Sequence, residues 1–296
     1  MSTSHHEHGT YYLPAPSHWP ILGCIGIATM LGGLANWLHG KIFGPYMFMC
    51  GALVLIYMIF GWFGTVIGEN RRGLLSDRQV DHSFRWGMSW FIFTEVMFFG
   101  AFFGALFYCR VYAVSWLGGA VPHGDMTHIL LWPGFNAHWP VFNNPNSVAF
   151  KPPHSVMDAW GIPAINTLIL LTSGVTVTIA HWGILQNRRK QMIFFQLLTV
   201  LLGLSFLSMQ AHEYWMAYNL KGLTLASGIY GTTFFMLTGF HAAHVTIGTT
   251  GLIVILYRMI KGDFSEHNHF AFEAVAWYWH FVDVVWLILF IFVYWV

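Results

Sequence analysis

The chain has 296 residues, of which 56% are hydrophobic and only 8% are charged, against about 25% charged residues in an ordinary soluble domain. The formal net charge is +1 and there is no basic tract, which excludes a nucleic-acid-binding protein of the usual basic type. Cys24, Cys50 and Cys109 lie in separate apolar segments without C-x-x-C spacing, which argues against a thiolate metal site. We therefore predict an integral membrane protein.

Seven apolar segments have close to the ~20 residues that a membrane-spanning helix requires. They cover residues 19–38, 45–68, 85–112, 158–184, 191–218, 228–257 and 270–295. The sequence therefore predicts an all-α integral membrane protein with seven transmembrane helices. The longest connection, residues 113–157, is rich in Pro, Trp, His and Asn, and we expect it to form an ordered cap on the membrane surface.

The basic residues predict the orientation of these helices, because loops on the inner side of a membrane carry an excess of Lys and Arg. With the N-terminus inside, nine basic residues lie on the inner side: Arg71, Arg72, Arg78, Arg85, Arg188, Arg189, Lys190, Arg258 and Lys261. Four lie on the outer side: Lys41, Arg110, Lys151 and Lys221. We therefore expect the tail 1–18 and the loop 69–84 inside, and the loop 113–157 outside.

The third apolar segment carries a carboxyl group, that of Glu95, ten residues after the segment begins at residue 85. A charged carboxylate near mid-membrane costs at least ~2.5–3.5 kcal/mol, so we expect Glu95 to be protonated or hydrogen-bonded to another helix. Gly100 and Gly104 follow with the spacing that allows close helix approach, which predicts a packed face. Glu95 is then either a proton-handling group or an interhelical hydrogen-bond partner.

Glu213 is an acid inside the fifth apolar segment, in the sequence AHEYW. Neighbouring residues on a helix point about 100° apart, so Glu213 and His212 cannot face each other. We expect Glu213 to reach towards the outer surface or to cap the helix there, without a catalytic role.

Histidines and acids recur in the last two apolar segments. In the last, HFAFEAVAWYWHFVDVVWLILFIFVYWV, four ionisable residues share one helix face at about 100° per residue: His269, Glu273, His280 and Asp283. The sixth contains GFHAAHVTIG, which places His241 and His244 three residues apart. A metal site of three histidines and a carboxylate is one interpretation. The other is a polar network that packs the last two helices together. The absence of H-E-x-x-H, and of the paired Glu-x-x-His motifs of di-iron bundles, favours this network.

Several motifs identify a family resemblance. FEAVAWYWHFVDVVW in the last segment, TGFHAAHVTIG in the sixth and TEVMFFGAFF in the third resemble subunit III of the haem–copper cytochrome c oxidases. HWPILG, FGWFGTVI and IPAINTLILLTSGVTVTIAHW extend the resemblance over essentially the whole chain. PAPSHWP and LLWPGF look more like a bacterial member, which implies the bacterial inner membrane with a periplasmic C-terminus.

The resemblance implies a non-redox subunit of a proton-pumping aa3-type oxidase, which supports assembly, stability, proton uptake and lipid organisation. Haem and copper would belong to subunits I and II, with subunit I in direct contact and cytochrome c as the electron donor of the complex. No metal is expected in this chain. The family arrangement implies a two-plus-five bundle, with residues 19–68 and 85–296 separated by a cleft that structural phospholipids fill.

The resemblance also assigns residues. Four match the lipid-contacting positions of the family: Trp62, Glu69, Arg258 and His269. Gly64, Thr65 and Gly68 stand where many relatives have charged residues, which puts the headgroup contacts in question. Glu95 matches a membrane-embedded carboxyl known for its reaction with a carbodiimide, and is expected to be structural or proton-supporting. The network that packs the last two helices would contain five residues: His241, His244, His280, Asp283 and Glu273.

The N-terminal histidines suggest a further role. His5, His6 and His8 would titrate near pH 6.5, and on the inner face they could collect protons for a neighbouring proton path. Three other functions remain open: the equivalent subunit of a quinol oxidase, a stand-alone metal enzyme, and a transporter. Members of the quinol branch commonly have five spans, and no inverted repeat of the transporter kind is visible.

Overall fold

The computed structural model describes residues 16–75, 77–120, 124–146 and 148–295, and all regular elements in these ranges are helical. The α-helices are α1 (Trp19–Leu38), α2 (Gly44–Arg71), α3 (Arg78–Phe107), α4 (Val114–Leu117), α5 (Asp125–Leu131), α6 (Ile162–Leu185), α7 (Arg189–Asn219), α8 (Ile229–Lys261) and α9 (Phe270–Leu289). Single π-helical segments, Tyr108–Ala113 and Phe290–Trp295, continue α3 and α9. Seven of the helices are long and apolar enough to cross a membrane, which confirms the predicted spans.

The predicted inner loop 69–84 is shorter in the structure. Helix α2 continues to Arg71 and α3 begins at Arg78, seven residues before the apolar segment predicted its start. The first two turns of α3 are polar, so hydropathy does not reveal them. Asp77 precedes this helix, and its carboxylate accepts a hydrogen bond from the backbone N–H of Gln79 at 2.9 Å, which satisfies a donor that the first turn leaves unpaired.

The chain divides into two compact units, Met1–Phe84 and Arg85–Val296. Within the first, α1 and α2 form an antiparallel hairpin in which glycines allow the backbones to touch. A Cβ atom on Gly33 would lie 2.2 Å from the backbone N of Phe48, and one on Gly51 would lie 2.3 Å from that of Met30. Side chains cannot be accommodated at such distances, so small residues set the spacing of this hairpin.

The second unit has an aromatic core shared by α6, α7, α8 and α9. Trp279 and Trp286 of α9 are fully enclosed, as are Phe206 of α7 and Phe234 of α8. The ring of Phe206 meets that of Trp286 edge to face at 4.8 Å. Rings of α3 continue the core, because Phe99 packs 6.1 Å from Phe281. Large interlocking side chains therefore hold this unit together.

Part of the long connection 113–157 packs around a small apolar cluster. Val114, Phe135 and Val141 are buried there, and Trp139 bridges to the main core through an edge-to-face contact with Tyr230 at 5.9 Å. The short helices α4 and α5 lie in the same connection. The described residues of this connection therefore have a small apolar core of their own, and their position on the membrane surface stays a prediction.

Candidate functional site

A carboxyl–imidazole pair links α3 to α8. Glu95 Oε2 lies 2.8 Å from His244 Nε2, and the side chains are 20% and 13% exposed. The other ring nitrogen of His244, Nδ1, lies 2.7 Å from the carbonyl oxygen of Phe240 one turn earlier in α8. The structure confirms the predicted hydrogen bond from Glu95 to another helix.

The geometry of this pair fixes its number of protons. A backbone carbonyl can only accept, so Nδ1 of His244 carries a proton. The 2.8 Å contact between Nε2 and Glu95 Oε2 then needs one more proton, placed on either atom. In both cases the pair as a whole is neutral, which is the condition under which a carboxyl group is tolerated at membrane depth.

Aromatic rings pack against the imidazole of this pair. The imidazole of His244 lies 4.9 Å from the ring of Phe99 and 6.4 Å from that of Tyr278. The glycines after Glu95 have free space within their own unit, so the packed face that their spacing predicts is not formed by described residues of that unit. At Gly100 and Gly104, no atom of the same unit lies within 4 Å of an added Cβ.

His241 belongs to a different environment from His244. It is 1% exposed, and its Nε2 donates to the carbonyl oxygen of Val282 in α9 at 3.2 Å. Its ring also packs 5.1 Å from that of Trp286. His241 therefore joins α8 to α9 as the sequence predicts, whereas His244 turns towards α3.

Asp283 and His280 face α6, where they line an apolar groove of about 530 Å³. Asp283 is 6% exposed, and a Cβ on Gly174 would lie 2.7 Å from its Oδ2. His280 is half exposed and reaches the Thr178 hydroxyl at 3.4 Å. The five residues predicted to form one network thus lie in separate groups, because α9 presents different faces to α6 and α8. The metal site predicted as an alternative, with His241, His244, His280 and Asp283, does not form among the described residues.

Glu273 lies in a polar cluster near the start of α9. Its Oε2 pairs with the guanidinium of Arg85 on α3, and its Oε1 lies 2.9 Å from Nε2 of His269. His181, near the end of α6, places its Nε2 4.0 Å from the same oxygen. Among the described residues, His181, His269 and Glu273 are the one group whose ligand atoms all lie within 4.8 Å of one another, as a metal site requires.

Three other residues predicted to contact lipid, Arg258, Trp62 and Glu69, differ from one another in exposure. Arg258 is 3% exposed and its Nε donates to Asp263 Oδ2 at 3.2 Å, with the guanidinium 4.7 Å from the ring centroid of Phe264. Trp62 is 51% exposed and Glu69 is half-buried, both on α2. Arg258 is therefore engaged inside the protein, while Trp62 faces outwards.

Glu213 does not reach the surface, contrary to expectation. It is 0% exposed, and the Tyr294 hydroxyl in the final π-helical segment donates to its Oε2 at 3.2 Å. A buried carboxyl with a tyrosine partner serves to hold α7 against the end of the chain. Sequence spacing could not find this contact, because the two residues are 81 positions apart.

Sequence reasoning also missed Arg85 and His181 as partners of Glu273. In the sequence, Arg85 is one of nine basic residues predicted on the inner side, and His181 is part of the motif that ends in TIAHW. The i, i+4 spacing of His269 and Glu273 was the available signal. His5, His6 and His8, the predicted proton-collecting residues, lie outside the described residues.

These features define a polytopic α-helical membrane protein in which polar side chains such as Glu95 and His244 pair between helices. A model of the family described as "Cytochrome c oxidase subunit III" matches residues 8–131 and 145–296. Cytochrome c oxidase subunit 3 of Drosophila melanogaster is 41% identical over 295 residues, which cover 100% of this chain and 99% of that protein. The proteins of the same name from Cyprinus carpio and Danio rerio are 39% and 38% identical over 290 residues, 98% of either chain.

The chain therefore belongs to the cytochrome c oxidase subunit III family. It is a multi-pass membrane subunit of a respiratory haem–copper oxidase complex, in which haem and copper belong to other subunits. The resemblance seen in the motifs is confirmed over the full length.

Proposed function

We propose that this chain is the non-redox subunit III of a proton-pumping, aa3-type cytochrome c oxidase. It stabilises the complex beside catalytic subunit I, supports proton uptake and organises phospholipid. Subunit II delivers electrons from cytochrome c in this proposal. The membrane is the bacterial cell membrane, with the N-terminus cytoplasmic and the C-terminus periplasmic, in accord with nine predicted inner and four predicted outer basic residues.

The observation that carries this proposal is the closed Glu95–His244 pair. Oε2 of Glu95 and both ring nitrogens of His244 are engaged, and the 2.8 Å contact needs only one shared proton. A group that conducts protons must exchange partners, whereas Oε2 of Glu95 and both nitrogens of His244 already have partners within this pair and its helix. The pair therefore supports a structural role for Glu95, with proton pumping elsewhere in the complex.

The open face of α3 supports a direct contact with a neighbouring subunit. Gly100 and Gly104 have free space within their unit, and Phe107 nearby is 57% exposed. Small residues with this spacing allow another helix to approach closely. We assign this face to subunit I.

Phospholipid contact is proposed for the residues that the family resemblance indicates. Trp62 has the exposed ring that such a role needs, and Glu69 lies two turns further along the same helix. Arg258 and His269 already have protein partners. Arg258 would contact lipid through its other guanidinium N–H groups, and His269, with both ring nitrogens engaged, through the carbon edge of its ring. The two-plus-five arrangement with a lipid-filled cleft remains part of this proposal.

The decisive experiment is purification of the complex from native membranes through a tag on this chain. We expect haem and copper in the purified material, an optical spectrum of haem a, and oxygen consumption with reduced cytochrome c. Oxygen consumption with quinol but not with cytochrome c would assign the chain to the quinol branch. Purification without haem would contradict the proposal and favour a stand-alone protein.

A proton-collecting role for His5, His6 and His8 needs its own test. Proton uptake by the complex is measured at alkaline pH with all three replaced by Asn. We expect slower uptake, because fewer groups with a pKa near 6.5 would remain at the entrance. Unchanged uptake would remove this part of the proposal.

A further inference from the structure

We propose that His181, His269 and Glu273 form a binding site for a zinc-type divalent cation between the end of α6 and the start of α9. The three donor atoms, one from each residue, lie within 4.8 Å of one another. The proposal concerns this chain alone and does not depend on its function in an oxidase.

The tautomer of His269 leaves a lone pair directed at a carboxylate. Its Nδ1 lies 3.1 Å from the carbonyl oxygen of Ser265, and because a carbonyl only accepts, Nδ1 carries the proton. Nε2 then faces Glu273 Oε1 at 2.9 Å. Two acceptors at this distance require a positive centre between them, either a proton or a metal ion. A backbone carbonyl bound to the distal nitrogen is also the usual orientation device of a metal-ligating histidine.

The unpaired nitrogen of His181 favours a metal ion over a proton as the positive centre between His269 and Glu273. Its Nε2 is buried, has no hydrogen-bond partner and lies 4.0 Å from Glu273 Oε1. A proton on His269 would satisfy the contact with Glu273 and still leave the His181 nitrogen unpaired, which is costly. A cation bound by all three atoms satisfies every one of them.

The distances suit tetrahedral zinc. Bonds of ~2.0–2.1 Å to nitrogen and ~2.0–2.2 Å to oxygen place tetrahedral ligand atoms about 3.3–3.4 Å apart. The observed separations of 2.9 Å and 4.0 Å lie on either side of that value, so small side-chain rotations complete the site. Two imidazoles and one carboxylate suit zinc over magnesium or calcium, which prefer oxygen ligands only.

Arg85 shapes the site without closing it. Its guanidinium binds Glu273 Oε2, which fixes the carboxylate and leaves Oε1 as a single ligand atom. The His181 side chain is 30% exposed, so the cluster lies close to the surface of this unit although the Nε2 atom itself is buried. Three protein ligands leave the fourth position of a tetrahedral zinc ion for water.

The test titrates zinc into the full chain in detergent, purified through a streptavidin-binding tag so that no histidine tag is present. His5, His6 and His8 are replaced by Asn, because this tail can itself bind metal. Affinity is measured by isothermal titration calorimetry for this background and for His181→Gln and His269→Gln in it. His267→Gln is the matched control, since His267 is two residues from His269, is 88% exposed and pairs only with the surface residue Glu266.

We expect one zinc per chain in the background, and about 100-fold weaker binding when either His181 or His269 is replaced. His267→Gln should leave the affinity unchanged. X-ray absorption at the zinc edge of the unsubstituted background should show two imidazole nitrogens at about 2.0 Å, a result that does not depend on how well the variants fold. The assignment would be overturned if all variants bound zinc with equal affinity, or if His267→Gln weakened zinc binding. A zinc-edge spectrum without imidazole nitrogen would also overturn it.

Discussion

The two units of the chain are stabilised in opposite ways. In Met1–Phe84, helices α1 and α2 meet backbone to backbone at glycines such as Gly33 and Gly51, and side chains of this hairpin such as Ile42 are 89% exposed. In Arg85–Val296, large side chains such as Trp279 and Trp286 are enclosed and hydrogen-bonded. Lipid removes the hydrophobic driving force between helices, so close packing and polar contacts must stabilise both units.

This difference indicates which substitutions should destabilise each unit. The hairpin tolerates change on its outward faces but has no room at its glycines. The larger unit places its polar contacts between helices, as in the hydrogen bonds from Trp279 Nε1 to the Ser173 hydroxyl and from Trp286 Nε1 to the Thr167 hydroxyl, both 2.9 Å. The loss of stability on substitution in this unit should therefore depend both on the side-chain volume that is removed and on the hydrogen bonds that are lost.

Gly51→Leu should have the largest effect. Its side chain would collide with the backbone of Met30, 2.3 Å from the Cβ position, and overpacking against backbone that cannot yield should cost about 3 kcal/mol or more. Crosslinking between cysteines introduced at Trp37 and Phe48, whose rings lie 6.0 Å apart, measures the closed hairpin in a chain without other cysteines. We expect at least a tenfold loss of crosslinking.

Gly64→Leu is the control for that substitution, because it lies on the same helix with no atom within 4 Å of an added Cβ. It should crosslink like the parent. Equal crosslinking by both variants would contradict glycine packing as the basis of the hairpin.

Trp286→Ala should be the most damaging change in the core of the larger unit. It removes a ring that is 1% exposed and leaves a cavity beside Phe206 and His241, so we expect a loss of about 3 kcal/mol. Thermal unfolding is followed by thiol labelling of Cys109, with Cys24 and Cys50 replaced by Ser. An equally large fall in midpoint for Trp90→Ala, whose ring is 61% exposed, would refute the role of the core.

Tyr294→Phe should have an intermediate effect. It keeps the ring but removes the hydroxyl that donates to Glu213 Oε2 at 3.2 Å. A buried carboxyl left without that donor costs about 1–3 kcal/mol. The same thermal assay should show a lower midpoint than in the exposed control Tyr112→Phe. Recovery in the double variant with Glu213→Leu would confirm the pairing, and no recovery would speak against it.

Trp19→Phe should have the smallest effect of these substitutions. It removes the 3.1 Å hydrogen bond from Trp19 Nε1 to the Thr65 hydroxyl, which is exposed and therefore worth at most about 1 kcal/mol. Crosslinking of the hairpin between positions 37 and 48 should fall by less than about fivefold. Thr65→Val, which removes the acceptor of the same hydrogen bond, should reduce it by a similar factor. A loss as large as that of Gly51→Leu would show that this polar contact, and not the glycines, closes the hairpin.

The sequence predicted the seven spans because runs of apolar residues are visible without any knowledge of packing. It also placed Glu95 at a depth where it needs a partner. It could not predict that this partner is His244, since the two are 149 positions apart and the helix neighbours of α3 follow from tertiary packing. For the same reason, the three-residue spacing of His241 and His244 predicts one network, whereas their side chains face different helices.

Helix ends were the least predictable part of the fold. The first turns of α3 are polar, so hydropathy does not reveal where this helix begins. Its start is marked instead by the capping residue Asp77. The position of Glu213 within the fifth apolar segment predicts a surface location, whereas the hydroxyl of Tyr294, 81 positions later, gives it a buried partner. Contacts of this kind depend on how α7 and α9 meet, which no local pattern specifies.

The central claim is that Glu95 holds α3 to α8 and does not take part in oxygen reduction. The direct test is the oxygen turnover per haem of the purified complex carrying Glu95→Gln, a substitution whose amide can still donate to His244 Nε2. We predict turnover within about twofold of the parent with full subunit content, whereas Glu95→Ala should weaken retention of this chain. A tenfold or greater loss of turnover in a fully assembled Glu95→Gln complex would contradict the account.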